Sequence, residues 1–341
     1  MDLLIHPGFQ TMFAKGHLTL GLFTPIEAYQ GSIPTMRDHL IRARRAEWLG
    51  FAALWIRDIP LYDPSFGDVG QIYDPWVYLG HLARHTRRIA LATGSIVLPL
   101  RHPLHVAKAA ASVDHLSGGR FVMGIASSDR PVEFPAFGLD AEARGERFRA
   151  SFDVLRRVLE TRFPGIESSV GSSHDVDLLP KPCTSVLPLL VTGSSRQPME
   201  WIAAQSDGWI TYPRPLAAQT DVIAMWKRLT AEAVPRQFKP FVQSLYIDLA
   251  DDPHTAPTPI HLGLQLGRTA LIELLKKLEW HGANHVILNL KYGRRPANDV
   301  LEELGAEVVP LFPKQVYHLP PAQQHFSQVL RMCHNLHLGP T

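Results

Sequence analysis

The 341 residues carry 34 Lys and Arg against 32 Asp and Glu, a formal charge of +2, which is too small and too scattered to suggest a nucleic-acid partner. Hydrophobic residues make up 45% and charged residues 19%, enough apolar side chain for a large buried core and too little charge for a disordered chain. No run approaches the roughly 18 apolar residues of a membrane span, residues 1–16 lack the apolar stretch of a secretion signal, and the two cysteines, Cys183 and Cys333, form no CxxC pair. Membrane insertion, secretion and a disulfide framework are therefore unsupported, and a reducing cytoplasm is the expected setting.

Along the chain, short apolar runs alternate with longer stretches of helical spacing. The first strand is expected over Leu18–Thr24, followed by a helix over Pro34–Leu49 that has proline in its first turn and Met36, Leu40 and Ala43 on one face. Strands at Ala52–Arg57 and Ile89–Val97 precede a helix over Leu104–Leu116, which Gly118-Gly119 ends with a left-handed cap. After a strand at Arg120–Ala126, the stretch Ala141–Arg162 places Phe148, Phe152, Leu155 and Leu159 in a helical stripe. Further strands fall at Pro188–Thr192, Gly208–Tyr212, Pro240–Asp248 and His285–Leu290, with a helix over Leu266–His281 that stops at Gly282. Continuous apolar strands separated by helices imply a parallel sheet covered on both faces. A count of eight favours closure into a (β/α)8 TIM barrel over an open sheet. Such a barrel takes roughly 250 residues before insertions, so a single domain is expected, with its core at about 18–312 and residues 313–341 as a C-terminal extension.

Three stretches exceed ordinary loop length: Pro60–Pro75, Phe163–Leu187 and Asp251–Leu262. The first and third follow strands and are placed to roof a pocket; the second precedes a strand and belongs on the bottom or flank. No G-x-G-x-x-G, P-loop or G-x-S-x-G motif occurs. The pairs His81/His85, His102/His105 and His334/His337 lack a third ligand, so no metal is expected. Cys183 reads as a structural thiol.

One long segment carries more specific information. Ile89–Ser128 runs from a strand ending in Thr93-Gly94-Ser95-Ile96 through an Arg101-His102-Pro103 turn and a helix of small residues to Asp114, then Leu116-Ser117-Gly118-Gly119-Arg120 and a strand passing Gly124. Upstream lie Ala46-Glu47-Trp48-Leu49-Gly50-Phe51 and Leu54-Trp55; downstream lie Val191-Thr192-Gly193-Ser194-Ser195 and Ser206-Asp207-Gly208-Trp209. In order and spacing these landmarks resemble the bacterial luciferase-like family of flavin-dependent oxidoreductases, from about Leu18 to Phe312. The resemblance implies a reduced flavin at the C-terminal mouth of the barrel: FMN, with dioxygen and a small organic substrate, or the deazaflavin F420 in hydride exchange. FMN is favoured. It further implies a separate flavin reductase and a homodimer. The rival from another class is a flavin-binding protein without turnover.

Site residues follow from the same landmarks. Thr192, Gly193, Ser194, Ser195 and Arg196 leave a strand and enter a helix, where backbone N–H groups and a flexible glycine favour a phosphate; the plain alternative is a serine N-cap. The resemblance places a non-proline cis peptide beneath the flavin at Ser95-Ile96, with Gly94-Ser95 as the other candidate bond. Phe23 and Thr24 are expected to line the flavin pocket, and Ser127 and Ser128, with Asp129 and Arg130 after them, touch either ribityl or substrate or form a capped polar loop. Asp58 matches an acidic family residue and is the candidate catalytic group. The next family position is commonly histidine, used as acid or base, but this chain has Ile59. Isoleucine cannot transfer a proton, so either another group acts, with Asp63 and Tyr73 as candidates, or the chemistry is simpler. Arg294-Arg295 could clamp an anionic substrate or face water.

Overall fold

In the computed structural model, which describes residue 3, residues 6–66 and residues 73–315, all eight expected strands are present: β1 (Thr19–Phe23), β2 (Ala53–Ile56), β3 (Ala90–Thr93), β4 (Phe121–Ala126), β5 (Leu189–Thr192), β6 (Gly208–Thr211), β7 (Phe241–Leu249) and β8 (His285–Asn289). Each pairs in parallel with its neighbour in chain order, and β8 returns to β1 with Thr19 opposite His285, so the sheet is a closed barrel. Closure leaves these eight strands without an edge. The helices that follow them are α1 (His39–Trp48), α2 (Pro75–His85), α3 (Pro103–Ser117), α4 (Arg144–Glu160), α5 (Met199–Gln205), α6 (Leu216–Ala233), α7 (Arg268–His281) and α8 (Ala297–Glu303).

The strand period of two divides each apolar run between two cores. Ala53, Trp55, Ala90, Ala92, Val122, Leu190, Ile210, Val242 and Ile287 point into the barrel. Leu54, Ile56, Leu91, Met123, Ile125, Val191 and Leu288 point outward beneath the helices. Glycine is required where the wall is crowded: a Cβ on Gly124 would lie 2.0 Å from the Thr93 carbonyl oxygen. The base of the barrel is filled by a short helix, Pro7–Met12, whose Phe9 and Met12, with Phe13, join the interior cluster. Thr19 Oγ1 donates to the Met12 carbonyl at 2.6 Å, and His6 Nε2 lies 3.4 Å from Asp114 Oδ1.

Some expectations are corrected. The helix after β1 begins at His39, not at Pro34, because the buried Glu27 carboxylate accepts the N–H groups of Thr35 and Met36, and Met36 and Asp38 adopt left-handed φ of 56° and 55°. Met36 is buried from this loop rather than from a helix face. Phe163–Leu187 contains an antiparallel hairpin, Ile166–Ser168 with Gly171–Ser173, against α4 on the flank. The insertion after β7 folds as Thr258–Ile260 antiparallel to Gly263–Leu266, and the latter adds to β7 in parallel. From residue 316 onward the C-terminal extension lies outside the described residues, as does the pair His334/His337. No helix among the described residues is long and apolar enough to cross a membrane.

Candidate active site

The strand ends converge at the C-terminal mouth, where barrel enzymes place their chemistry. Phe23 closes β1, and its ring lies so near Gly94 that a Cβ there would sit 3.1 Å from Phe23 Cε1 and 3.3 Å from Trp55 Cε3. The cis bond is Gly94–Ser95, not Ser95–Ile96. Ile96 has already rejoined the sheet opposite Ile125, so the break in β3 falls one bond earlier. The Ser95 hydroxyl is hydrogen-bonded to that of Thr192, across from β3 to β5. Thr24 precedes a cis proline and donates its hydroxyl to the Trp55 carbonyl at 3.2 Å.

Beyond β5 the chain does not enter a helix directly, as its sequence suggested; α5 starts at Met199, four residues after Ser195, with no side-chain cap. Gly193, Ser195 and Arg196 adopt left-handed φ of 57°, 44° and 59°, so the segment is a tight turn. Ser195 Oγ donates to the Thr192 carbonyl at 2.8 Å, and Trp209 Nε1 holds the Gly193 carbonyl at 2.8 Å. A Cβ on Gly193 would meet nothing within 4 Å, so this backbone faces open space. Gln197 Nε2 ties the turn to the Gly145 carbonyl at 2.8 Å. Next to Gly145 stands Arg144, which sequence reasoning missed; its side chain is buried, its Nη1 donates to the Ala141 carbonyl and lies 3.6 Å from Glu142, and its Nε has no hydrogen-bond partner. An arginine in the first turn of α4 was the available signal.

Asp58 is buried with both oxygens engaged. Arg101 donates to it from Nε at 2.9 Å and from Nη2 at 2.8 Å, and the Val97 N–H adds a bond of 3.1 Å. It ties the end of β2 to the segment after β3. Asp63 accepts from the N–H and hydroxyl of Ser65, which hold its carboxyl below the usual range, and Tyr73 packs edge-on against His39 and Tyr78. After β4, Ser127 is buried, and Ser128 at φ 74° accepts the Arg130 N–H at 2.9 Å. The Arg130 guanidinium stacks 4.2 Å over Phe66, so the loops after β2 and β4 meet. Burial raises the Glu133 carboxyl nearby, with Arg130 at 3.8 Å opposing that shift.

Arg294 and Arg295 are both engaged by acids: Arg294 with Asp248 at 2.7 Å, and Arg295 with Glu303 at 2.7 Å and Asp251 at 2.9 Å. The rings of His39, His81 and His85 gather on the outer helices, but among the described residues no three His, Cys, Asp or Glu converge as a metal site. Partial burial, then the neighbouring Asp114, pushes the Cys183 thiol up to about 12, opposite to the lowering that activates a nucleophilic thiol. Clefts of about 230 and 240 Å³ lie on the flank beside α4 and the hairpin, bordered by Arg157 and Ile166 or by Leu104 and Leu178. Neither is lined by residues of the mouth, so we place the chemistry at the strand ends on geometry.

A family model described as Luciferase-like monooxygenase matches residues 18–302. The chain belongs to the luciferase-like monooxygenase family. Among curated luciferase-like relatives, 4-hydroxyprotoasukamycin monooxygenase of Streptomyces nodosus subsp. asukaensis is 32% identical over 198 residues, covering 55% of this chain and 52% of that protein. Limonene 1,2-monooxygenase of Rhodococcus erythropolis is 32% identical over 111 residues, covering 33% and 27%. The chain thus spans about half the length of the first of these relatives, and less of the second. Among solved structures, monooxygenase RslO1 from Streptomyces bottropensis superposes with a TM-score of 0.72 at 18% identity, covering 86% of this chain and 99% of that one. An F420-dependent secondary alcohol dehydrogenase gives 0.71 at 17%, covering 87% and 99%. These two share the luciferase-like fold.

Proposed function

We propose that this luciferase-like enzyme is a flavin-dependent monooxygenase that uses reduced FMN and dioxygen to oxidise a small organic substrate. The observation that carries the cofactor reading is Arg144. A buried guanidinium nitrogen without an acceptor is costly, and the phosphate of FMN, placed between Arg144 and the open turn at Gly193, Ser194 and Ser195, would satisfy it. The residues present therefore fit the group. Phe23, Gly94, Ser95 and Ile96 would form the floor under its ring, Thr24 and Asp58 would hold that floor in place, and Thr192, Ser127 and Ser128 would meet its polar chain, with Arg196 beside the phosphate. FMN is preferred to F420 because curated relatives at 32% identity bear monooxygenase names.

When bound, the reduced flavin supplies the electrons for reaction with dioxygen. The chain's own contribution is placement and exclusion of water. Asp58 fixes Arg101 and the Val97 N–H, and so the wall beside Ser95. Ile59 contributes no proton, so the site does not rely on an acid or base at that position. A separate reductase to supply the flavin and a homodimeric assembly complete the proposal.

Titration with reduced FMN, oxidised FMN, FAD and F420, joined to oxygen uptake in the presence of reduced FMN and candidate substrates, tests it. We expect reduced FMN to bind most tightly. Preference for F420 without oxygen consumption would move the enzyme to hydride transfer, and flavin binding without turnover on any compound would favour a binding protein.

A further inference from the structure

Two long connections meet at the mouth, and one buried carboxylate stands between them. After β2 the chain runs Asp63-Pro64-Ser65-Phe66, a turn closed by the Phe66 N–H on the Asp63 carbonyl at 3.1 Å and stiffened by proline at its second position. The turn presents the Phe66 ring to the Arg130 guanidinium, 4.2 Å from the ring centre. After β4 the short helix Pro131–Phe137 is pinned by Phe134, which is fully buried with Val97 and Leu100. Glu133 belongs to this firm segment. It is only 2% exposed, its Oε1 has no hydrogen-bond partner, and Nη1 of Arg130 stands 3.8 Å from that oxygen. The Leu61 N–H approaches the same carboxyl.

The loop after β2 is anchored more lightly. Leu61 and Tyr62 are 40% and 52% exposed, and a segment with few buried apolar contacts opens at low cost. Its contacts with the β4 side fall at Leu61 and at Phe66, and both lead to Glu133, one directly and one through Arg130.

We propose that Glu133 is a positioning residue that seats residues 61–66 over the mouth, through the Leu61 N–H and through Arg130 on Phe66. At 3.8 Å the link to Arg130 is longer than a hydrogen bond and depends on charge. The seat therefore responds to pH. Burial raises the Glu133 carboxyl from its ordinary 4.5, Arg130 and the Leu61 N–H oppose that shift, and the charges of Asp58 and Asp129 add to it. Asp58 is itself held by Arg101, and Asp63 faces Arg130 from the loop. The seat is complete while Glu133 is ionised and weakens as pH falls through a value above 4.5. Arg130 has further interactions, so loss of this one charge loosens the seat without abolishing it. The seat stands whichever cofactor binds; only its covering role rests on the flavin reading.

Amide hydrogen exchange of residues 60–66 in the cofactor-free protein, read against peptides from α3 and α4, tests it on wild type, Glu133→Gln and Phe66→Leu. Glutamine keeps the size and an acceptor oxygen but not the charge. At neutral pH each variant should speed exchange in 60–66 about fivefold, the worth of one such contact, with α3 and α4 unmoved. As pH is lowered to about 5, wild-type exchange, corrected for its intrinsic rate, should rise toward that of Glu133→Gln, which should itself stay level. Phe66 is half-exposed, so Phe66→Leu carries the comparison where the buried substitution prevents folding. Exchange unchanged in the folded variants, or a pH response in Glu133→Gln equal to that of wild type, would overturn the seat. FMN should also dissociate about fivefold faster from Glu133→Gln; FMN that binds but leaves at the wild-type rate would overturn the covering role. A protein with the expected exchange that binds no flavin in any redox state would instead overturn the flavin reading and leave the seat standing.

Discussion

Across the barrel interior, Trp55 donates its indole N–H to Nε2 of His285 at 2.9 Å. Because an indole nitrogen can only donate, His285 must carry its proton on Nδ1, which meets Thr19 Oγ1 at 2.6 Å, and Thr19 passes the chain on to the Met12 carbonyl. Strands β2, β8 and β1 and the basal helix are thus joined by one directed run of hydrogen bonds that requires a neutral imidazole.

The stability of the protein should therefore fall with acid below neutrality. Burial pushes His285 down from 6.5 to about 3. Between those values the unfolded chain takes up a proton that the folded one refuses, so the contribution is fully present above 6.5 and is lost as pH drops toward 3. The loss is about 1.4 kcal/mol per pH unit, or about 2 kcal/mol by roughly pH 5. Urea unfolding of wild type and His285→Gln at the two pH values checks this. A wild type that loses no more than the variant on acidification would contradict it.

Gly21→Ala should disturb the same run. A Cβ there would lie 2.5 Å from His285 Nε2 and 2.8 Å from Trp55 Nε1. Overpacking of this kind costs about 1–3 kcal/mol. Thermal unfolding and the emission of the buried tryptophan report it, and a variant with unchanged melting and emission would mean that the pair gives way freely.

Arg144→Met should weaken FMN by about ten- to a hundredfold, the worth of one charge-assisted contact to a phosphate. Riboflavin, which has no phosphate, should bind both forms equally. Parallel loss for FMN and riboflavin would place the anchor elsewhere.

Asp58→Asn separates anchoring from proton transfer. Removing the carboxylate leaves Arg101, half-buried, without its main partner, and breaking such a pair costs about 3–5 kcal/mol when fully buried and less here. We expect a lowered melting temperature and a pH profile of turnover with its shape kept. A stable variant that loses one limb of that profile would make Asp58 the acid or base.

Elements set by local pattern were legible in the sequence. The eight strands are continuous apolar runs because both faces are buried, Gly118 ends α3 in the left-handed conformation read for it, and α7 stops at Gly282 as read. The basal helix was not legible, since six residues ending in Phe9-Gln10-Thr11-Met12 show no period and are held by the barrel they fill. The start of α1 was misplaced because its alternative depends on Glu27, eight residues before Thr35. At the ends of β1, β2, β3 and β5 the strands themselves were legible, but the cis bond lies one position before the first choice and Arg144 went unnoticed. Contacts across the mouth were not legible: Arg57 and Tyr246 are 189 positions apart, and only closure of the barrel brings them together.

The helix at the base has a consequence for traffic. With Phe9, Met12 and Phe13 buried among the inward side chains, the described residues close the barrel at its base. On the proposed reading, dioxygen, cofactor, substrate and product would all share the mouth. A compound lodged in the mouth would then have to leave before one beneath it could be exchanged, so the order of arrivals and departures would become a property of the doorway, set by the loops around it.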